Sequence, residues 1–268
     1  MIFCIFRVFR VQPKTMILTY LQHPETADAL IKTAAHLAQH LKKRLGFVSF
    51  VSSATLIEER KVELEQISSS ADAQLFVVEG EISNLAEFCE VQEAAFLLLQ
   101  LTDENSKAIQ TMLTACRSLR IPYLLYKSSF VELTLEKVLV PVSFLEEEIE
   151  KAQFASAFGR FYGSEITLLQ ANDYGSKATV TTEKMKTLFN KFQLTYTHEK
   201  AKSDSFKLEQ EAIRKAQNED FGIVIISASR EYGLDDIIFG PKERKIIKQS
   251  SVPVLLVNPR GDLYALCD

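Results

Sequence analysis

The 268 residues are enough for one large domain or for two of ordinary size. Hydrophobic residues make up 47% of the chain and charged residues 25%, which excludes global disorder. The formal net charge of −4 argues against a general nucleic-acid-binding protein, because such proteins carry a basic field.

The first 15 residues form an N-terminal extension ahead of the first regular pattern. Arg7 and Arg10 interrupt its apolar residues, and the run is shorter than the about 20 apolar residues that a membrane span needs. It also lacks the uninterrupted apolar stretch and the cleavage site of a secretory signal. We therefore expect a cytoplasmic protein with no membrane partner.

Cysteines and histidines give no metal or disulfide pattern. The four cysteines lie far apart without a C-x-x-C pair, so reduced thiols are expected: Cys4, Cys89, Cys116 and Cys267. His36 and His40 have the spacing of two metal ligands on a helix, but no third ligand is visible nearby. A structural role is therefore expected for both.

Strands and helices alternate through the first half of the chain. The apolar run at 16–20 predicts a strand, and Pro24 opens a helix that we expect to reach about residue 45, with Gly46 as its stop. Further strands are expected at 47–51, 74–78 and 95–101, and further helices at 55–67 and 83–91. This alternation is typical of a parallel sheet covered by helices on both faces.

The second half repeats this alternation. Residues 138–142 are continuously apolar, as in a strand buried on both faces. A helix is expected over 145–162, with Gly163 as a left-handed stop. Strands follow at 166–171, 194–198, 222–227 and 254–257, and helices at 181–192, 208–217 and 242–249.

The two halves also end alike, with IPYLLY at 121–126 and VPVLLV at 252–257. Each of these segments follows an amphipathic helix, which in turn follows a short apolar run. We therefore interpret the chain as two tandem doubly wound α/β domains, each with a five-stranded parallel sheet flanked by helices. The predicted boundaries are 16–127 and 137–268, joined by a linker at 128–136.

The second half resembles the universal stress protein family. The VLVPV run at 138–142 is similar to the first strand of that family, and PVLLV at 253–257 to its last strand. Between them the family carries Gly-x2-Gly-x9-Gly-Ser/Thr, and those positions hold Ser227, Arg230, Gly240 and Pro241 here. The resemblance implies an adenine nucleotide alpha-hydrolase-like fold and, in many members, ATP bound at the carboxyl ends of the strands.

Carried over to this chain, the resemblance places a vestigial ATP site at the carboxyl edge of the second half. Its residues are Val142, Ser143, Ala171, Ile226, Ser227, Arg230, Gly240, Pro241 and Lys242. Arg230 is bulky where a glycine lets phosphate approach, Pro241 removes a hydroxyl and a backbone donor, and Ser143 replaces an acid. In the first half, Gln22 stands at the acid position and residues 102–105 connect strand to helix without a glycine loop. No cofactor is therefore expected, with ATP as the one left open.

Two functions follow as hypotheses. The first is a non-enzymatic scaffold or interaction module of the stress response, whose halves form a pseudo-dimer and which binds unidentified proteins or a second copy. The resemblance implies pairing through the last strands, at Pro122, Tyr123, Leu124, Leu125, Pro253, Val254, Leu255 and Leu256. The alternative is a nucleotide sensor or weak ATP hydrolase that uses Arg230, Gly240 and Lys242.

No catalytic residues are expected. The segment 227–229 does not match the G-x-S-x-G nucleophile motif, and no histidine lies downstream of it to act as a base. His198 is interpreted as a strand-end histidine without a catalytic partner.

Overall fold

The computed structural model describes residues 15–68, 71–229 and 241–259. The first half contains strands β1 (Met16–Tyr20), β2 (Arg44–Val51), β3 (Ala73–Glu79), β4 (Ala94–Leu101) and β5 (Tyr123–Lys127). Its helices are α1 (Asp28–Leu41), α2 (Ile57–Ser68), α3 (Leu85–Val91) and α4 (Ser106–Cys116).

The second half has the same succession of elements. Its strands are β6 (Lys137–Val142), β7 (Glu165–Gln170), β8 (Tyr196–Lys200), β9 (Ile223–Ser227) and β10 (Val254–Val257). Its helices are α5 (Glu150–Tyr162), α6 (Lys177–Lys191), α7 (Leu208–Asn218) and, after residues outside the described ranges, α8 (Lys242–Gln249).

All ten strands belong to one sheet, in the order β3-β2-β1-β4-β5-β10-β9-β6-β7-β8. The pairs within each half are parallel, and each half has the same internal order. The halves meet where β5 and β10 pair antiparallel, with Leu124 opposite Leu255 and Tyr123 opposite Leu256. The predicted fold class is confirmed: each half is a doubly wound five-stranded α/β unit.

The helices cover both faces of the sheet. On one face the buried core draws on α3, α4, α7 and α8, and on the other it draws on α1, α2, α5 and α6. Each core runs across both halves, since side chains from β1 and from β6 belong to the same cluster on each face. The sheet strands are apolar on both faces for this reason.

The prediction for the end of α1 was wrong. The helix ends at Leu41, where Lys42 takes the left-handed conformation with φ 53°, and β2 already begins at Arg44. Gly46 lies inside β2, where an added Cβ would come within 2.4 Å of the Met16 sulfur. Gly46 therefore lets two strands pack closely, whereas Gly163 does end α5, with φ 71°, as predicted.

Strand β8 also differs from its predicted bounds. Helix α6 begins at Lys177, and its last turn is closed by Gln193, which has φ 53°, and by the Leu194 N–H bonded to the Phe189 carbonyl. Leu194 packs against the core as part of this turn. The strand therefore begins two residues later than predicted, at Tyr196.

In addition to the β5–β10 strand pair, two residues at equivalent positions of the repeat connect the halves. Lys127 ends β5, and its ammonium group donates to the carbonyls of Lys248 and Ser250 at the C-terminal end of α8. Asn258 follows β10 at the matching place in the repeat, and its amide donates to the carbonyls of Cys116 and Leu119 at the C-terminal end of α4. Each half therefore caps the last helix of the other, where carbonyls lack partners within the helix.

The predicted linker packs onto the domains. Phe130 and Leu135 are buried in the core that contains α1 and α5. The Leu133 N–H donates to the Thr33 hydroxyl at 3.0 Å. A Cβ on Gly222 would lie 1.7 Å from the Thr134 carbonyl oxygen, so glycine is required for the linker backbone to pass there.

Candidate functional site

In open α/β sheets, ligands bind outside the carboxyl ends of the strands, at the point where the connections after two adjacent strands run to opposite faces of the sheet. In the first half these two strands are β1 and β4. The chain has two such edges. The first-half edge consists of the loops after β1, β2, β3 and β4, and the second-half edge of the loops after β6, β7, β8 and β9.

The first-half edge is organised by one neutral side chain. Gln100, near the end of β4 and 3% exposed, accepts hydrogen bonds from the N–H groups of Gln22 and His23 at 2.8 and 2.7 Å. Its amide donates back to the His23 carbonyl and to the Thr26 hydroxyl. These four bonds fix the loop after β1. This loop contains the position at which the family carries an acidic residue that contacts the ligand.

The start of α4 is also satisfied by the protein itself. The Asn105 side chain accepts from the N–H groups of Lys107 and Ala108, the donors that would otherwise be available to a phosphate. A cavity of about 270 Å³ remains beside it, lined by residues that include Tyr20 and Gln22. The first half therefore keeps space at this edge but has no open anion site at the start of α4.

At the second-half edge, the structure brings together the predicted site residues that it describes. Val142 ends β6 and Ser143 follows it, and the Ala171 N–H donates to the Val142 carbonyl at 2.9 Å. Ile226 and Ser227 end the adjacent β9, and Pro241 and Lys242 begin α8. Arg230 and Gly240 lie outside the described residues.

A buried ion pair occupies the space under the loop after β6. Lys151 and Glu148, whose side chains are 1% and 4% exposed, pair with each other. Lys151 also donates to the Pro141 carbonyl, and Glu148 accepts from the Ser143 N–H at 3.4 Å. Ser143, at the family's acid position, thus has its backbone held by an acid from the following helix.

A second set of charges lies at the start of α8. The Ser229 N–H donates to the carboxylate of Glu243, which is 2% exposed. Lys242 pairs with Glu209 at 2.8 Å. Burial raises the pKa of Glu209, and Lys242 opposes this rise. Burial lowers the pKa of Lys242, but the carboxylates of Glu209, Glu243 and Glu148 together outweigh it, so that the pKa is raised.

These contacts were not predicted. Glu148, Glu209 and Glu243 are acids on helices, and nothing in their spacing distinguishes them from solvated helix charges. Glu209 pairs with Lys242 of another helix, Glu243 accepts from a loop N–H, and Glu148 pairs with the buried Lys151, so only the fold shows that these contacts form at one edge. Among the residues that the structure describes, these three acids are thus engaged by Lys151, Lys242 and the Ser229 N–H.

The histidines are also explained by contacts within the protein. The His40 ring stacks on Tyr162 with centroids 4.2 Å apart, and His36 pairs with Glu132. His198 Nε2 lies 2.9 Å from the Gln170 side-chain oxygen. Within the described ranges, no three histidine, cysteine or acidic residues are grouped as a metal site.

Solved structures share this fold. A universal stress protein from Archaeoglobus fulgidus matches with a TM-score of 0.68 and 13% identity, over 93% of this chain and 98% of that one. The tandem fold is that of universal stress proteins. A protein of unknown function from Pseudomonas aeruginosa matches with a TM-score of 0.62 and 14% identity, over 95% and 96% of the two chains.

The same fold also occurs in a transporter. The cytoplasmic domain of a prokaryotic cation chloride cotransporter matches with a TM-score of 0.57 and 10% identity, over 91% of this chain and 95% of that one. No family model and no curated protein matches the sequence. Among the described residues, no helix has both the length and the apolar character needed to cross a membrane.

Proposed function

We propose that this chain is a non-enzymatic interaction or scaffold module of the universal stress type, acting in the stress response without binding ATP in the family's usual way. The observation that supports this most is the contact of Glu243 with the Ser229 N–H. A carboxylate buried at the start of α8 takes the place and the charge of an incoming phosphate.

The remaining contacts of the second-half edge support the same proposal. Lys242, a cation that could have met a phosphate, is paired with Glu209. The buried ion pair of Lys151 and Glu148 lies next to Ser143. In the first half, Asn105 caps α4 and Gln100 holds the loop after β1. The likeness to a universal stress protein supports the stress-response assignment by fold analogy.

Nucleotide content and affinity test the proposal. Small molecules released from the natively purified chain are identified by mass spectrometry, and ATP is then titrated by calorimetry. We expect no nucleotide and no binding heat. Co-purified nucleotide, or a micromolar dissociation constant for ATP, would overturn the proposal in favour of the nucleotide sensor or weak hydrolase.

Two sets of variants show whether a latent site exists. Arg230→Gly combined with Pro241→Ser restores the family residues, and Glu243→Ala removes the buried carboxylate. We expect Glu243→Ala to strengthen ATP binding, because it frees the Ser229 N–H and removes a negative charge. Glu87→Ala is the matched control, since Glu87 is exposed in the first turn of α3. An equal response of both glutamate variants would contradict the assigned role of Glu243.

A further inference from the structure

A groove lies on the face of the sheet that α4 and α8 cover, and both halves of the chain contribute to its walls. Its volume is about 680 Å³, and it is lined by one side of α4, by the segment after β3 and by the first turn of α8. The lining follows α4 from Ser106 to Ala115, about 14 Å of helix. Small-molecule sites have volumes of this order. We call it the α4–α8 groove.

The α4–α8 groove is distinct from the position at which the family binds a nucleotide. The cavity of about 270 Å³ beside Gln22 adjoins it, since Ile82, Lys107 and Thr111 line both. The groove, however, continues past the C-terminal end of α4 to Ser118 and is lined there by Arg244 of the other half. Most of it therefore lies away from the loops after β1 and β4.

The lining of the groove is rich in hydroxyl groups. Nine of its eleven described side chains end in a hydrogen-bonding group, and five of these are hydroxyls: Ser83, Ser106, Thr111, Thr114 and Ser118. The hydroxyls of the three serines make no hydrogen bond with any residue that the structure describes. Each can donate one hydrogen and accept two. The groove therefore suits a ligand that both donates and accepts at several points.

Gln110, midway along the groove, has a buried acceptor without a donor. Its amide nitrogen donates to the Thr114 hydroxyl at 3.5 Å, whereas its side-chain oxygen has no partner in the part of the chain that the structure describes. Nearly all buried polar atoms of folded proteins are hydrogen-bonded, because an unmade bond costs free energy. A ligand hydroxyl that donates to this oxygen would remove that cost.

The charges of the groove are of both signs and do not converge on one point. Glu81 and Lys107 both follow the carboxyl ends of parallel strands and therefore lie towards one end. Arg244 lies towards the other end, because α8 runs against α4: its C-terminal carbonyls, not its first turn, meet Lys127 at the carboxyl edge. A compact anion would thus meet no pair of cations, whereas a neutral ligand can bond to each group singly.

We propose that the α4–α8 groove binds a neutral polyhydroxylated molecule, namely a short saccharide or a comparable polyol. One ligand hydroxyl donates to the Gln110 oxygen, and others bond to the serine and threonine hydroxyls. Ile82 and Ala115 contact the C–H faces of the ligand. This goes beyond the proposed scaffold function, because it gives the module a small-molecule ligand held by both halves.

Saturation-transfer NMR on the full chain tests the proposal. The probes are sorbitol, trehalose, maltose and maltotriose, each at millimolar concentration, with gluconate and glucosamine as the anionic and cationic comparisons. We expect transfer signals from neutral members of this panel and competition among those that bind. Preferential binding of gluconate or glucosamine would overturn the proposal, since charge would then select the ligand. The absence of a signal from every neutral probe would do the same.

Three variants locate the binding. Gln110→Leu removes the unpartnered acceptor and should weaken the affinity for the best neutral probe about fivefold to tenfold. Thr114→Phe places a ring in the groove and should abolish the signal. Gln39→Leu is the matched control, since Gln39 is exposed on α1, which covers the opposite face of the sheet. It should bind the probe as the native chain does.

Urea denaturation separates a ligand contact from a structural role of Gln110. Because its oxygen has no described partner, Gln110→Leu should not lower the denaturation midpoint. A lowered midpoint would mean that the amide is already used by the fold, and unchanged affinity in Gln110→Leu and Thr114→Phe would place the ligand elsewhere; either result contradicts the proposal. The ATP titration is independent of these measurements, so either proposal can fail while the other stands.

Discussion

The two carboxyl edges of the sheet satisfy their loops and helix starts in chemically different ways. At the first-half edge, the neutral amides of Gln100 and Asn105 satisfy the loop after β1 and the start of α4. At the second-half edge, the charged side chains of Lys151, Glu148 and Glu243 make the corresponding hydrogen bonds. The comparison teaches that one fold position can be closed by amides or by ion pairs, with different sensitivity to substitution and pH.

The largest effect is expected from breaking the buried pair. Lys151→Met leaves the buried carboxyl group of Glu148 without its partner, which should lower the free energy of unfolding by about 3–5 kcal/mol. Urea denaturation measures the loss, and hydrogen exchange should locate it in residues 138–150.

The double variant Lys151→Met/Glu148→Leu is the control for this prediction. It removes both charges, so most of the lost stability should return. A double variant as unstable as the single one would mean that packing, and not the unpaired charge, causes the loss.

A smaller effect is expected at the first-half edge. Gln100→Leu leaves the part-buried N–H groups of Gln22 and His23 without their acceptor, which should lower the free energy of unfolding by about 1–2 kcal/mol in urea denaturation. Gln100→Glu keeps an acceptor for both groups and should cost less. If the two substitutions are equally destabilising, the amide donor bonds to His23 and Thr26 matter more than the acceptor bonds.

The smallest effect is a pH dependence confined to the second half. Burial and the nearby Lys186 lower the pKa of His198, so the folded chain favours the neutral ring. Stability should therefore fall as pH drops from about 6.5 through the lowered folded pKa, because the unfolded chain takes up the proton first. His198→Gln should reduce the change of the denaturation midpoint between about pH 7 and 5. If the midpoint changes with pH as much as in the native chain, other groups cause the pH dependence.

The sequence allowed the order of elements to be predicted because the strands are continuously apolar and the helices amphipathic. The bounds of α8 and β10 were predicted correctly, since Pro241 and Pro253 lie just before them. The end of α1 was missed because Lys42, not a glycine, takes the left-handed conformation there. Pattern alone does not reveal a non-glycine residue with positive φ.

The sequence indicated which residues share the second-half edge but not the contacts that they make. Ser143, Ser227 and Lys242 lie at one edge, because the carboxyl ends of β6 and β9 are adjacent in this topology; whether they form a site stays a prediction. The contact of Glu243 with the Ser229 N–H depends on how α8 lies against the end of β9. A glutamate that accepts one loop N–H leaves no motif in the sequence, unlike a glycine loop.

The reciprocal caps formed by Lys127 and Asn258 affect how the chain behaves on dilution. In a protein built from two separate subunits, each helix end would lose its cap whenever the subunits dissociated. Here the linker keeps both partners at a high effective concentration, so the caps and the β5–β10 pair persist at any concentration of the protein. The two halves therefore stay paired within one chain at any dilution.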